Sequence, residues 1–391
     1  MKQTLQICIS PCPNDTFAFA GLLEQQSDDH GLALEIELLD VEQSNERLAR
    51  GEFDAAKASF HAALRLSDDL ALLSAGSALG YGVGPLLLRR PGAPPLCPGA
   101  RVLCPGAWTT ATMLYQLFYG APPAEQLLFS KIMPALEAGL ADYGVCIHEG
   151  RFTFKERGLE LVEDLGARWE TAFGCALPLG GILFRKRHGE ALALRLTKAI
   201  EASIAWARAQ PERALAIMRR HAQELSDEVL WAHVDLYVNS DTLCLSGAAR
   251  AALGKLSSEA QRINLVPRSS APLEVWGRQE PLRLFHLLGF EDSVELMQRK
   301  GTLRPFSLAD QGFVHLSFAS QLKETAVTHF ARRTDLVLLE LDASRLGTDL
   351  RYESSRKGEL FPHLRRELRR EDVLARWDLK GAPGAWDLPV G

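Results

Sequence analysis

No stretch of the 391-residue chain reaches the roughly 18 consecutive apolar residues that a membrane-spanning helix needs. A basic excess is missing too. Lys plus Arg number 44 against 49 Asp plus Glu, a net charge of −5, whereas a nucleic-acid binder usually carries a positive field. Cysteines are few and poorly spaced for cross-linking: seven in all, an odd number, with no C-x-x-C. Cys8, Cys12, Cys97, Cys104, Cys146, Cys175 and Cys244 therefore read as buried free thiols of a reducing compartment, not as disulfides or zinc ligands. H-E-x-x-H and G-x-S-x-G are absent, and the Gly-rich run ALGYGVGPLLLRR (78–90) has neither dinucleotide spacing nor a P-loop. The opening MKQTLQICISPCPND has one lysine and a short apolar run before two prolines, unlike a secretion signal or an anchor. The expectation is a cytoplasmic protein acting on a small molecule, with no metal, cofactor, nucleic acid or membrane. Oligomeric state is not legible.

What is present is an ordinary globular composition, 47% hydrophobic and 24% charged, over a length that one core does not usually serve. LQICI (5–9) precedes a helical stretch near 16–26. LALEIELLD (32–40) alternates like a strand, VEQSNERLARG (41–51) is helical and stops at Gly51, and FDAAKAS (53–59) is a further strand. This rhythm predicts an α/β fold with parallel strands. A second passage echoes the first. ERLARGEFDAAKAS (46–59) and ALEAGLADYGVCIHE (135–149) both run helix, glycine, two residues, aspartate, strand, each glycine ending its helix because it takes left-handed backbone cheaply. In open α/β sheets ligands bind beyond the carboxyl ends of strands. Those ends carry Lys57 and Ser59 in one copy, His148 and Glu149 in the other. Two such units facing each other make a cleft between two lobes, with 78–90 crossing between them.

Further on, EALALRLTKAIEASIAWARAQ is one helix, Pro211 opens another, and SDEVLWAHVDLYV forms a third with Ser226 as N-cap. PRSSAPLEVWGRQEPL (267–282) breaks the periodicity with three prolines. The expected organisation is a two-lobe domain at 1–268 (lobe 1 about 1–92 and 190–268, lobe 2 about 93–189), a linker at 269–283 and a smaller α+β domain at 284–391. That last domain has strands at LFHLL, FVHLS and DLVLLELD, and HLRRELRRED as a solvated helix face.

Few residues carry chemistry. His148 closes the apolar strand YGVCI and precedes an acid. There it can serve as a general base near neutral pH, or it can simply pack. Thr109 and Thr110 open a helical run in PGAWTTATMLYQLF. Hydroxyls and N–H groups at a helix start suit a carboxylate or phosphate, though plain capping uses the same residues. Ser59, with Lys57, offers a hydroxyl from the other lobe or is an ordinary loop serine. SPCPNDTF (10–17), with two prolines fixing φ, reads as a rigid turn on the cleft floor, scaffold before substrate contact.

SPCPNDTF, the KAS after FDAA, ALGYGVGPLLL, TTA, IHEGRFTF, DLGARWE, PLGGI and HAQELSDEVLWAHVDLYVN occur in this order. Over about residues 3–268 they resemble the 1,4-dihydroxy-6-naphthoate synthase family of the futalosine route to menaquinone. The resemblance implies a fold like the type II periplasmic binding proteins. It also implies a lyase that converts cyclic dehypoxanthine futalosine to 1,4-dihydroxy-6-naphthoate and dihydroxyacetone without metal or cofactor. Carried over position by position, His148 becomes the proton acceptor, Lys57, Ala58 and Ser59 the first substrate-binding segment, and Thr109 and Thr110 the second. Ala58 stands where the family often has leucine, and Trp108 where it tends to have a polar residue. Both alter the pocket wall while keeping its polar groups.

In 284–391, the motifs LFHLL, TLRPFSLADQGFVHLS, LVLLELD, LRYE and ELFPHL resemble a small bacterial domain family of unknown function that has been compared with the ADP-ribosyltransferase fold. His286, His315, Ser317, Glu353 and His363 are its candidate pocket residues. Two rival readings keep the two-lobe fold. A solute-binding protein without catalysis is disfavoured by the missing export signal and by the histidine. Chorismate dehydratase is disfavoured by SPCPNDTF and IHEGRF.

Overall fold

Gln3–Ile9 (β1), whose Leu5, Ile7 and Ile9 are fully buried, lies between Leu32–Leu38 (β2) and Ala55–Ser59 (β3) and runs parallel to both. Leu70–Leu73 (β4) and Ala78–Gly80 (β5) belong to the same seven-stranded sheet. The chain then crosses into a five-stranded sheet built from Leu86–Arg89 (β6), Val102–Cys104 (β7), Ala124–Gln126 (β8), Tyr143–Cys146 (β9) and Glu160–Asp164 (β10). It returns as Leu177–Arg185 (β11), antiparallel to β3, β4 and β5. Val275–Trp276 (β12) adds an edge strand parallel to β4. This computed structural model describes residues 3–148, 150–222, 226–277, 283–298, 301–346, 349–355, 360–382 and 385–389. Glu149 and part of the expected linker, 278–282, lie outside the described residues.

The expected parallel sheet is therefore mixed. β11 enters it from the other lobe and not by a helical crossover, so nothing constrains it to run parallel. The expected lobe boundaries move as well. β6 pairs with β9 and β10, so the first crossing falls at 81–85 instead of near 92. β11 pairs within the first sheet, so the return falls at 174–176 instead of near 189. Both runs are apolar and buried, and a buried backbone must sit where its ladder partners are. The proline-rich 91–99 is a loop beyond β6. At the crossing the backbones nearly touch: a Cβ on Gly84 would stand 2.8 Å from Gly166 Cα, a close approach that glycine permits.

One core packs β1 and β11 against Leu196, Ile200 and Ile204 of helix Glu190–Ala209. Another gathers Val102 and Val145 with Met113 and Leu114 of helix Thr110–Phe118. Each such aliphatic side chain contributes about 1.5–3 kcal/mol on burial. Four cysteines are buried, but Cys97 is exposed and Cys175 and Cys244 are intermediate, so the expectation of seven buried thiols holds for only part of the set. Among the described residues no helix is long and apolar enough to cross a membrane.

Close contacts divide the chain into two units, 1–245 with 249–279, and 246–248 with 280–391. The expected linker at 269–283 is corrected by β12. Leu72 N–H donates to Glu274 O and Ser74 N–H to Trp276 O, and Lys186 pairs with Glu274 at 2.7 Å. The prolines that break the helical period are compatible with an edge strand. A chain truncated after Gly277 is accordingly expected to melt several degrees above one truncated after Arg268, which lacks this edge and the half-buried Trp276. Equal melting temperatures would show that β12 contributes nothing.

In the second unit, Arg283–Gly289, Leu336–Asp342 and Val373–Asp378 form an antiparallel sheet. It packs on helix Leu322–Phe330 through Phe285, Leu287, Leu322 and Leu338. HLRRELRRED is not a helix. It closes strand Leu360–Leu364, forms strand Leu368–Arg369 and ends in a 3-10 turn, held by Arg366, whose guanidinium forks onto Asp372 at 2.7 and 2.8 Å.

Candidate active site

The carboxyl ends of β3 and β9 meet at one cavity of about 100 Å³, and Lys57, Ala58, Ser59, Thr109, Thr110 and His148 all line it. Lys57 is almost fully buried. Its Nζ lies 2.7 Å from Asp15 Oδ1 and donates to Gly76 O at 2.9 Å. An ammonium has three hydrogens, so one remains for a ligand. Asp15 is held in turn by the Ser10 hydroxyl at 2.6 Å and the Asn14 amide at 2.8 Å. SPCPNDTF lies at the cavity as expected of it, with Ser10, Asn14 and Asp15 facing the space.

Ser59 reaches across the cleft through a relay. Its N–H donates to Asn45 Oδ1 at 3.0 Å, Asn45 Nδ2 donates to Glu42 Oε2 at 3.0 Å, and Glu42 Oε1 accepts the Trp108 N–H at 3.0 Å. Burial raises the Glu42 pKa above the usual carboxylate value. Trp108, the expected departure from family pattern, stacks under the Arg65 guanidinium at 4.5 Å.

Both threonines line the cavity, with their hydroxyls bonded inside the protein. Thr109 caps its helix, accepting from Thr112 N–H and donating to Gly106 O. The Thr110 hydroxyl donates to Leu179 O at 2.8 Å and accepts the His61 N–H at 3.3 Å. Open to a ligand are the N–H groups of Thr110 and Ala111, the first two of the helix, which have no intrahelical partners. With the positive end of the helix dipole behind them, they suit an anion.

His148 follows β9 with φ +55°, a left-handed conformation uncommon outside glycine and found where surrounding structure enforces it. Its Nδ1 lies 3.0 Å from Cys12 Sγ, its ring sits edge-on to Phe129 at 4.9 Å, and its Nε2 is buried without a partner. Burial pushes its pKa down to about 4. Asp15 nearby opposes that shift and Lys57 adds to it. The imidazole is thus neutral at cellular pH, the state a base requires.

These features carry a lineage. Residues 5–262 match a family model described as menaquinone biosynthesis. The chain belongs to the menaquinone biosynthesis family. Among its relatives is a 1,4-dihydroxy-6-naphthoate synthase of Thermus thermophilus, 42% identical over 274 residues, which are 70% of this chain and all of that protein. Another of the same name, from Streptomyces coelicolor, is 38% identical over 270 residues, 68% of this chain and 95% of that one. A solved structure from Archaeoglobus fulgidus superposes with TM-score 0.64 at 28% identity, covering 67% of this chain and 98% of its own. The ligand-binding component of an ABC-type import system from Staphylococcus aureus gives 0.55 at 11% identity, covering 71% and 97%. At that identity it shows the fold alone, which is the binding-protein-like architecture expected. Residues 291–376 match a model described as a protein of unknown function.

Several cavity residues of this menaquinone biosynthesis family member escaped the sequence reading. Arg151 donates to Gly84 O and pairs with Asp164. His233 and Tyr237 come from helix Asp227–Tyr237. Their signal was present: Leu230, His233, Val234 and Tyr237 form the inward stripe of that helix, and a histidine among apolar neighbours stands out. In the second unit a separate cavity of about 500 Å³ gathers His286, His315 and Ser317. Glu353 and His363 are not among its lining residues. They bind each other at 2.7 Å, with Phe313 stacked on the His363 ring.

Proposed function

We propose that the cleft performs the reaction for which its Thermus and Streptomyces relatives are named, releasing 1,4-dihydroxy-6-naphthoate and dihydroxyacetone from cyclic dehypoxanthine futalosine, with His148 as the base. The observation that carries this reading is a neutral, buried imidazole with its Nε2 unpartnered, in a cavity that also offers cationic and N–H groups to an anion. For Nε2 to be basic the ring hydrogen must sit on Nδ1, directed at Cys12 Sγ. Cys12 is then a positioning residue that selects the tautomer. The substrate carboxylate lies against the N–H groups of Thr110 and Ala111 and the spare hydrogen of Lys57. Nε2 removes a proton from carbon, the electrons move towards a carbonyl, the bond to the three-carbon fragment breaks and the remaining ring becomes aromatic. The departing fragment takes up a proton, so neither electrons nor protons are consumed overall. Burial of His148 and Lys57 keeps bulk water from the reacting atoms.

Incubation with cyclic dehypoxanthine futalosine should yield dihydroxyacetone, and its absence would overturn the reading. The pH profile is a second check. With the folded pKa about 4, the rate should stay level from roughly pH 8 to 5 and fall only as the imidazole charges. A limb near the ordinary histidine value of 6.5 would contradict a buried base. Stability moves differently. His148 and His233 bind protons less readily folded than unfolded. Their contribution is complete above the unfolded value of about 6.5 and is lost as pH falls towards 4. Melting curves separate this effect from the catalytic limb.

A further inference from the structure

His233 occupies a helix position where leucine would serve for packing. It is 1% exposed, and neither ring nitrogen has a hydrogen-bond partner. Buried polar atoms are nearly always satisfied, and leaving two unsatisfied is costly. The ring is flanked by Tyr237, with centroids 4.9 Å apart, and by Phe152 at 6.1 Å. It lines the same cavity as His148. Arg151, in the same cavity, is engaged with Asp164 and Gly84 O. Burial, with His148 and Lys57 close by, pushes His233 down to about 3. It is therefore neutral and offers one N–H and one lone pair. That pairing matches a hydroxyl, which donates and accepts. A carboxylate, which only accepts, would use half of it.

The geometry points to His233 as a second substrate-binding imidazole, one that holds the hydroxyls of the three-carbon fragment leaving as dihydroxyacetone. This rests on the lyase reading above and assigns the other end of the same site. The substrate's two ends are then told apart by hydrogen-bond character. The helix start at Thr110 and Ala111 provides donors for the carboxylate, while His233 provides a donor and an acceptor for the polyol. Binding the fragment to a neutral group also leaves His148 as the one imidazole in the cavity assigned to proton removal.

The test compares His233→Leu with His233→Gln in the full chain. Leucine removes both hydrogen-bonding atoms, whereas glutamine keeps a donor and an acceptor. With cyclic dehypoxanthine futalosine, the leucine variant should raise KM roughly 10- to 100-fold with a smaller change in kcat, and glutamine should recover most of the loss. Product inhibition locates the contact. Dihydroxyacetone should inhibit the leucine variant much more weakly than the wild type, while 1,4-dihydroxy-6-naphthoate inhibits both alike. An unchanged KM in a folded leucine variant, an equal loss for both products, or no inhibition of the wild type by dihydroxyacetone would overturn the assignment. Should the leucine variant not fold, the ring-nitrogen resonances of His233 in the wild type are read during titration with dihydroxyacetone, and no shift overturns it. Failure of the wild type to turn over the substrate would instead refute the lyase reading, and a His233 shift with dihydroxyacetone would still identify a polyol site.

Discussion

Replacing His148 by asparagine is expected to cut turnover of cyclic dehypoxanthine futalosine by roughly 10²–10⁴-fold, the usual effect of losing a general base, while the protein still folds. Asparagine is a suitable replacement for a structural reason. His148 has φ +55°, and asparagine is among the few residues that adopt left-handed backbone readily. Leucine or valine there would add backbone strain and confuse lost chemistry with lost structure. The side-chain amide can still face Cys12, but it has no basic atom to replace Nε2. The check is steady-state turnover beside a thermal melt and a binding titration with the naphthoate product. A variant that melts and binds normally yet turns over slowly supports the assignment. One with near-normal turnover removes His148 from the mechanism.

The second large effect concerns stability. Asp15→Asn should destabilise the two-lobe unit by about 3–5 kcal/mol, because it leaves the Lys57 ammonium buried without its counter-charge. For a chain of this size that corresponds to a melting temperature lower by on the order of 10 °C. The Gly76 carbonyl offers Lys57 partial compensation. The double variant Asp15→Asn, Lys57→Met should recover much of the loss, since the uncompensated charge is then gone, but it should not recover activity if Lys57 holds the substrate. A melt unchanged by Asp15→Asn would mean that water reaches the pair and screens it.

Local signals wrote much of this molecule in plain view. The strands at 3–9, 32–38 and 55–59 follow from apolar runs bounded by turn residues, and the helices from Pro211 and Ser226 follow from their caps. All six candidate residues of the cleft line one cavity because each sits at the end of a strand or the start of a helix, where sequence punctuation is strongest. What sequence could not supply was pairing at a distance. Lys57 and Asp15 are 42 positions apart, and Cys12 and His148 are 136 apart; no local pattern links either pair. The lobe boundaries were misplaced for the same reason. A strand's own residues say that it is buried, not which sheet buries it, so β6 and β11 had to await their partners. The threonines left ligand binding and capping both open: Thr109 caps locally, with Gly106 and Thr112, whereas the bond from Thr110 to Leu179 is visible only once both lobes are in place.

The contact between Cys12 and His148 has a further meaning, because it joins residues from opposite lobes. Cys12 follows β1 of the first sheet and His148 follows β9 of the second. Trp108 N–H to Glu42, Arg65 on Trp108 and Thr110 to Leu179 also bridge them. If the lobes part to admit substrate, the imidazole loses in the same movement the sulfur atom that its Nδ1 faces. Reactivity and enclosure are then mechanically interlocked. With His148 as the proposed base, an open molecule would be unaimed, and each turnover would reassemble that base from two halves before it acts.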